Sequence, residues 1–251
     1  MKKLILLFVG FVLLQSCNSE NAWDCIQTVG DIVEVPYAVG AFSSITVEDD
    51  IFLEIEQGDT YQVIVTTGSN LLDGITVVVE ADGNLRLKNS TNCNFSREYD
   101  VTSIRVVTPS LKFIRNASRN TVTSINTLRF KELLLGSNTN PGVIDPGKNG
   151  DFIVDIDVDD LRVEANGFST YTLSGKAENV FIGFYDELPR LEAEGLIIQH
   201  LVVVHVSGSK MVVNPQQSII GSIRSTGDVI SLNQPPIVDV EEWFTGRLIF
   251  Q

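Results

Sequence analysis

Residues 161–211, LRVEANGFSTYTLSGKAENVFIGFYDELPRLEAEGLIIQHLVVVHVSGSKM, form the centre of the stretch Leu111–Leu232, which decides the fold. Short apolar runs alternate in this stretch with small polar clusters. The runs start at Leu111, Leu133, Leu161, Val180, Leu201 and Ile219. Recurrence of one pattern about every 20 residues is typical of stacked repeats. The stretch therefore predicts an all-β, solenoid-like stack of short strands.

Each repeat contains a predicted turn and a second apolar position. The turns follow five or six residues after a start, at Asn116-Ala117-Ser118, Asn166-Gly167, Asp186, Ser207-Gly208-Ser209 and Ser225-Thr226-Gly227. The apolar positions follow ten or eleven residues after a start, at Val122, Val143, Tyr171, Leu191, Met211 and Val229. Two strands joined by a corner are therefore expected in each repeat.

One interval is longer than the others, because 28 residues separate Leu133 from Leu161. The extra length is Asn138–Gly150, which is rich in Asn, Pro, Gly and Asp and is predicted to protrude as a loop. Loops on a rigid scaffold often carry binding sites, but they also tolerate insertions. Both interpretations of this loop stay open at the level of sequence.

The first part of the chain also has the pattern of β-strands. Apolar and polar residues alternate in Phe42–Glu48 and in Ile51–Glu56, and turn residues separate later runs. An N-terminal β-sheet module packed on the stack is therefore expected within residues 25–251. The polar segment Asn89–Asp100 is the predicted seam if there are two sub-modules, 25–100 and 101–251.

The N-terminus has the features of an export signal. A basic start and an apolar run lead to Ser16 and Cys17, which predicts a signal peptide over residues 1–16. The Leu-x-Ser-Cys spacing is similar to a bacterial lipobox, in which the cysteine is lipidated and starts the mature chain. The prediction is an outer-membrane lipoprotein with a tether over residues 17–24. An ordinary signal peptide followed by a chance cysteine is the alternative.

The charge balance restricts the partners. The 251 residues carry 32 acidic and 18 basic side chains, a formal net charge of −14. Removal of Lys2 and Lys3 with the leader changes −14 to −16. A surface this acidic argues against binding to nucleic acid or to anionic lipid, so the expected partners are the membrane through the anchor and an unidentified glycan or protein.

Two cysteines remain in the mature chain, Cys25 and Cys93. In an exported protein an even number of cysteines predicts a disulfide, which would contribute about 4 kcal/mol by closing a long loop. Two unpaired thiols are the alternative. No zinc pattern is present, because the only histidines, His200 and His205, do not neighbour a cysteine.

Several segments resemble one known family. They are Phe42–Val47, Gln57-Gly58-Asp59, Leu71-Leu72, Gly83-Asn84-Leu85, Thr108–Leu111, Val213–Ile219 and Gly227–Ile230 with Pro235-Pro236. Together they resemble the putative auto-transporter adhesin, head GIN domain family (DUF2807), over nearly the whole mature chain. The resemblance implies a right-handed β-helical or stacked β-sheet domain behind an export signal, and the family's label implies a role in adhesion. Asn116–Asn120 departs from the Gly/Ser-rich turn of many members.

The best candidate for chemistry is an acidic strand containing Asp155, Asp157 and Asp159, which alternate with apolar residues. Carboxylates on one face of a strand are suitable oxygen ligands for Ca²⁺. A solvated face with Ile156 and Val158 turned inward is the alternative. His200 and His205 are five residues apart, so they are expected on opposite faces and not as a pair.

Aromatic residues offer another candidate. Phe168, Tyr171, Phe181, Phe184 and Tyr185 form a carbohydrate-stacking strip if they are exposed, or part of the core if they are not. Trp243 and Phe244 are expected to cap the end of the stack, since a solenoid must cover its last repeat.

These patterns favour a non-enzymatic scaffold that binds a surface or glycan. The sequence contains no nucleophile elbow and no phosphate-binding glycine loop, so no catalytic residue and no cofactor other than Ca²⁺ is predicted. One alternative is a polysaccharide lyase-like β-helix enzyme that uses the acidic strand with Arg162 or Lys176. Another is a structural or signalling component of the envelope.

Overall fold

The computed structural model describes residues 24–91, 93–95, 97–137 and 147–251. The predicted signal peptide, Cys17 and most of the Asn138–Gly150 loop lie outside these residues. Within the described ranges, no helix is long and apolar enough to cross a membrane.

The chain is all-β, as predicted, and all its described strands are joined by hydrogen bonds into one 18-stranded sheet. The strands are β1 Ile32–Tyr37, β2 Ser44–Asp49, β3 Phe52–Gln57, β4 Gln62–Gly68, β5 Ile75–Val79, β6 Asn84–Asn89, β7 Ser103–Thr108, β8 Phe113–Ser118, β9 Val122–Ser124, β10 Glu132–Gly136, β11 Phe152–Ala165, β12 Thr170–Phe184, β13 Arg190–His205, β14 Met211–Val213, β15 Pro215–Ile223, β16 Val229–Ser231, β17 Ile237–Glu242 and β18 Leu248–Phe250. Short 3₁₀ helices cover Asp24–Ile26 and Leu72–Gly74.

Most strands pair in parallel and form two columns. The first column runs β6, β2, β8, β10, the C-terminal halves of β11, β12 and β13, then β15 and β17. The second column runs β7, β3, β9, the N-terminal halves of β11, β12 and β13, then β14, β16 and β18. One strand from each column, joined at a corner, makes a rung of the stack.

The register agrees with most of the predicted repeat positions. In the first column Leu133 pairs with Leu161, and the pairing continues through Val180, Leu201 and Ile219. The second column contains an inner row of directly paired residues, which are Leu53, Val122, Phe152, Tyr171, Leu191, Met211, Val229 and Leu248. Five of the predicted second positions therefore lie in one row.

Two predicted positions are wrong. Because Leu134 pairs with Phe113, residue 112 lies opposite Leu133, and Leu111 is one residue out of register. The predicted turn Asn116-Ala117-Ser118 is the end of β8. The Asn116 carboxamide is buried and donates to the carbonyl of Asn120, 2.9 Å away, so side-chain hydrogen bonds let the strand continue into the corner. Val143 lies outside the described residues, and Phe152 occupies the corresponding place in the inner row.

The two columns enclose one apolar core that extends from Phe42 to Val229. A stack of rings lies inside it: Phe152 is parallel to Tyr171 at 4.8 Å between ring centres, and Phe184 follows at 6.0 Å from Tyr171. The Tyr171 hydroxyl is satisfied, because it donates to Ser137 Oγ at 2.8 Å. Burial of these rings contributes to stability through both area and stacking.

The N-terminal end of the stack is closed. Strands β1 and β5 and their neighbours add antiparallel pairing, β1 with β4, β4 with β7 and β5 with β6. The predicted disulfide is confirmed, and the Cα atoms of Cys25 and Cys93 are 4.4 Å apart. It ties the segment before β1 to the loop between β6 and β7.

The C-terminal end is not capped as predicted. Trp243 and Phe244 lie at the corner after β17 and are 63% and 60% exposed. Instead of covering the last rung, the Trp243 ring packs against the guanidinium of Arg224 at 4.7 Å. The cap prediction is wrong because these two residues directly follow β17, the last strand of the first column. They therefore form a corner of the same kind as those of the earlier rungs.

Candidate functional site

Two rows of side chains run across the outer face of the first column. The polar ladder consists of Glu132, Asp160, Asn179, His200 and Ser218, which are directly paired from β10 to β15. The stacking ladder consists of Phe113, Leu134, Arg162, Phe181, Val202 and Ile220, also directly paired. Side chains two residues apart on a strand share a face, so both ladders point away from the core.

Arg162 and Phe181 make the centre of the stacking ladder. The Arg162 guanidinium lies 4.4 Å from the centre of the Phe181 ring. Its Nε donates to Glu164 Oε1 at 2.6 Å, so a hydrogen bond at its edge also holds the guanidinium in place. Partial burial acts to lower the pKa of Arg162, but the bond to Glu164 raises it above the ordinary value.

Tyr185 extends this aromatic surface. Its hydroxyl donates to Glu164 Oε1 at 3.3 Å. The ring lies over Gly183, where an added Cβ would collide with the Tyr185 hydroxyl. Partial burial and the Glu164 carboxylate raise the pKa of Tyr185, so its hydroxyl stays protonated and keeps donating.

The polar ladder is also internally ordered. The Asn179 carboxamide donates to Asp160 Oδ1 at 3.0 Å, and His200 Nδ1 lies 3.0 Å from Ser218 Oγ. Glu132 forms an ion pair of 2.7 Å with Lys112. These bonds fix the side chains, while each amide, carboxylate or imidazole retains further donor or acceptor capacity.

The two ladders, apart from their β15 members Ser218 and Ile220, line an outer groove of about 580 Å³ that runs from β8 to β13. This volume falls within the range of small-molecule sites. The groove combines aromatic and aliphatic surface with hydrogen-bonding groups along one side. Such a surface can pack against the apolar face of a sugar ring and bond its hydroxyls at the same time.

Of the five predicted aromatic candidates, only Phe181 lines this groove, and the others lie elsewhere on the surface or in the core. Phe181 and Tyr185 lie on the outer face, whereas Tyr171 and Phe184 are fully buried. Phe168 is 55% exposed in the turn after β11, away from the residues that line the groove. The structure therefore brings together two of the five predicted aromatic residues.

The acidic strand faces outward as expected, with Ile156 and Val158 buried. Asp155 accepts a hydrogen bond of 2.6 Å from Thr127 Oγ1, and Asp157 lies 3.3 Å from Lys176 Nζ. Asp159 is exposed where β11 passes from the second column to the first. Among the described residues no group of three acids, histidines or cysteines is placed to hold a metal, and the Ca²⁺ site stays a prediction.

The histidines lie on opposite sides of β13, as predicted. His200 is exposed in the polar ladder, and His205 is fully buried. Burial lowers the pKa of His205, while the Ser209 carbonyl, 2.9 Å from Nε2, opposes this change. The described part of the predicted loop, residues 147–150, is held by Lys148, whose Nζ lies 2.7 Å from Glu187 Oε1.

Most residues of the groove were not predicted, although the sequence contains a signal for them. Every member of the polar ladder immediately precedes a predicted start, and Leu134, Arg162, Phe181, Val202 and Ile220 immediately follow one. The same outward positions in successive repeats must form rows once the strands pair in register. The starts that position the core therefore also position these two outward rows.

A model of the family described as putative auto-transporter adhesin, head GIN domain (DUF2807) matches residues 41–235. Among solved structures, a putative adhesin from Bacteroides fragilis is similar with 17% identity, a TM-score of 0.78, and coverage of 89% of this chain and 99% of that one. A putative adhesin from Parabacteroides distasonis has 14% identity, a TM-score of 0.63, and coverage of 90% and 100%.

A putative lipid binding protein from Parabacteroides distasonis has 16% identity, a TM-score of 0.59, and coverage of 88% and 98%. At these identities the similarity concerns the fold alone. No curated protein is significantly similar to the chain. Because the family model covers most of its length, the chain belongs to the putative auto-transporter adhesin, head GIN domain family.

Proposed function

We propose that this chain is a non-enzymatic, lipid-anchored protein of the cell envelope that binds a glycan in the outer groove. The observation that carries the proposal is the pairing of an aromatic platform with a row of ordered hydrogen-bonding side chains on a rigid sheet. Membership of a family described as adhesins supports a role in surface binding.

The platform is suited to a sugar because it is fixed before binding. The Phe181 ring packs against the guanidinium of Arg162 on the neighbouring strand, and Glu164 fixes that guanidinium in turn. A ligand therefore meets a surface that loses little side-chain entropy. C–H groups of a pyranose ring would pack against the outward surface that the Phe181 ring and the Arg162 guanidinium form together, while its hydroxyls extend sideways.

The polar ladder supplies the partners for these hydroxyls. Asp160, Asn179 and His200 follow one another at the spacing of paired strands, about 4.8 Å. This spacing is close to the length of a pyranose unit, so a chain lying across the strands can present hydroxyls to successive rungs. An oligosaccharide is favoured over a single sugar for this reason.

The proposal is tested by glycan arrays with the mature chain from residue 18 and two matched variants. Phe181→Ala removes the platform, and we expect it to weaken binding at least about tenfold, as for the loss of a buried aromatic contact. Phe168→Ala removes a ring that is exposed outside the groove, and it should bind as the wild type does.

Failure of the wild-type protein to bind any glycan would overturn the proposal. Equal affinity of Phe181→Ala and the wild type would place the site elsewhere. Circular dichroism of both variants shows whether a loss of binding is a loss of fold.

The anchor and the location are part of the same proposal. Lipidation of Cys17 would hold the chain at the outer membrane, with one or more acyl chains in the bilayer. Mass spectrometry of the membrane fraction tests this: a mature chain that starts at acylated Cys17 is expected, and a Cys17→Ser variant should be released from the membrane.

The rungs are further proposed to coil as a right-handed β-helix. Parallel strands of successive rungs, such as β11, β12 and β13, pair through Leu161, Val180 and Leu201 and are joined by crossover connections. Such connections are right-handed in nearly all proteins. An experimental structure at side-chain resolution tests the hand directly.

One contact favours the polysaccharide lyase-like alternative, since Asp157 and Lys176 form an acid–base pair at 3.3 Å. However, neither residue lines the outer groove. Incubation of any bound glycan with the protein, followed by product analysis, separates the two functions, because cleavage that is lost in Lys176→Ala would favour the enzyme.

A further inference from the structure

One corner of the described chain combines a covalent constraint with exposed apolar side chains. The disulfide joins Cys25 to Cys93, and the backbone N–H of Phe95 donates to the carbonyl of Cys25 at 2.9 Å. Phe95 is 77% exposed, more than any other large apolar side chain of the described residues. Ile26 and Tyr99 are 39% and 59% exposed.

We infer that this corner, defined as Ile26, Phe95 and Tyr99, rests in the interface of the bilayer that holds the lipidated Cys17. The inference rests on the proposed lipid anchor. Its occupant is a lipid surface and not a protein, because the chain between the corner and the anchor is too short to place the corner far from the membrane.

The length of the tether limits the distance. Eight peptide units separate Cys17 from Cys25, and a fully extended chain of that length spans at most about 29 Å. Any less extended tether brings Cys25 closer to the lipid headgroups. Phe95 lies directly against Cys25, so it is among the first side chains to reach the membrane.

The chemistry of the corner agrees with an interfacial position. Phe95 and Ile26 provide apolar area, and Tyr99 has an apolar ring with a hydroxyl that donates to the Asn94 carbonyl at 3.3 Å. Aromatic residues with one polar end are favoured at the boundary between headgroups and acyl chains. Since the chain is strongly acidic, a zwitterionic bilayer is the expected surface.

The fold contains a matched position that should not touch the bilayer. Phe244 is 60% exposed at the corner between β17 and β18. The rung of β2 and β3, beside the disulfide loop, is separated from this rung by seven strand spacings. That is roughly 34 Å along the stack.

The test uses the full-length lipidated protein in phosphatidylcholine vesicles whose acyl chains are brominated. Both natural tryptophans are first replaced, as Trp23→Phe and Trp243→Phe. A single probe is then introduced by Phe95→Trp or by Phe244→Trp. Bromine quenches tryptophan fluorescence only at short range, so we expect about twofold quenching at position 95 and none at position 244.

Flotation of the same vesicles separates the two hypotheses. If the protein floats but the probe at position 95 is not quenched, or if both probes are quenched equally, the orientation is wrong and the anchor stands. If the protein does not float, and behaves as Cys17→Ser does, the anchor and the orientation both fail. Unchanged circular dichroism of the probe variants excludes misfolding as the cause.

Discussion

The two ends of the stack are completed in different ways. At the N-terminal end, antiparallel strands and a disulfide surround the rung of β2 and β3, and every inward side chain there is covered. At the C-terminal end, β17 pairs only with β15, and β18 only with β16, among the described strands. Val238 is 42% exposed there although it points into the stack.

The difference extends to the charges on the outer face. Near the N-terminal end the Glu48 carboxylate is almost buried, with Arg86 at 2.9 Å and Lys88 at 3.6 Å. On β17 the acids Asp239 and Glu241 lie on an exposed strand edge. A buried acid with two cations stabilises one arrangement, whereas exposed acids on an edge oppose pairing with another strand. The two ends therefore differ in charge as well as in pairing: the ion pairs of the first fix one arrangement of its side chains, and the acids of the second oppose association.

The largest predicted effect compares two leucines of the inner row. Leu53 and Leu248 occupy equivalent positions at opposite ends, but Leu53 is fully buried and Leu248 only partly. We expect Leu53→Ala to lower the free energy of unfolding by about 3 kcal/mol and Leu248→Ala by about 1 kcal/mol or less. Urea unfolding followed by circular dichroism measures both values.

Similar losses from the two substitutions would contradict the comparison, because they would mean that the last rung is packed as tightly as the second. Wild-type protein measured in the same urea series provides the reference slope. A changed slope would indicate that the variant no longer unfolds in one step.

Much of this fold could be predicted from the repeat alone. The starts at Leu133, Leu161, Val180, Leu201 and Ile219 are directly paired, since an inward residue must recur once per rung. The predicted turn at Asn116-Ala117-Ser118 is wrong because the Asn116 side chain donates to the backbone of the following corner and the strand continues through these residues. The spacing of apolar residues contains no information about such a side-chain bond.

The candidate site was predicted less completely, for a physical reason. Phe181 follows the predicted start Val180 by one residue and Phe184 by four, so alternation alone places the first ring outward and the second inward. Alternation does not show that Arg162 lies against the Phe181 ring or that Glu164 binds the Arg162 guanidinium, because these contacts depend on the register between strands. In the acidic strand the alternation fails at Asp159 and Asp160, which are both exposed where the strand changes column. Asp155, Asp157 and Asp159 keep the outward alternation, and Asp160 is the residue that departs from it as the strand enters the first column.

A smaller effect on the free energy of unfolding is expected from a change in pH. It tests whether the closed packing extends along the stack as far as His205. His205 is fully buried beside Phe184, at 6.1 Å between ring centres, and burial lowers its pKa below 6.5. The unfolded chain then binds a proton that the folded chain does not, so stability falls as the pH drops below about 6.5, by at most about 1.4 kcal/mol per pH unit.

The effect is measured by unfolding at pH 7.5 and pH 5.5. In His205→Phe the difference between the two values should shrink, even if its stability at pH 7.5 changes through loss of the bond to Ser209. His200→Asn is the control, because His200 is exposed on the same strand. An equal pH dependence in His205→Phe and the wild type would show that water already reaches the core around His205.

The smallest effect on stability is predicted for the acids of the open end. Replacing Asp239→Asn and Glu241→Gln together should change the free energy of unfolding by no more than about 0.5 kcal/mol, since both side chains are at the surface. It should nevertheless favour association, because charges on an edge strand hinder pairing with another edge. Sedimentation velocity at increasing concentration should then detect dimers or larger species that the wild type does not form.

The control is Glu54→Gln, which replaces an exposed acid on β3, a strand whose two edges are already paired. This substitution changes the charge without freeing an edge, so it should leave the association state of the protein unchanged. If the edge variant stays as monomeric as this control, exposed backbone and apolar area at the last rung are insufficient for association, and the acids have no protective role.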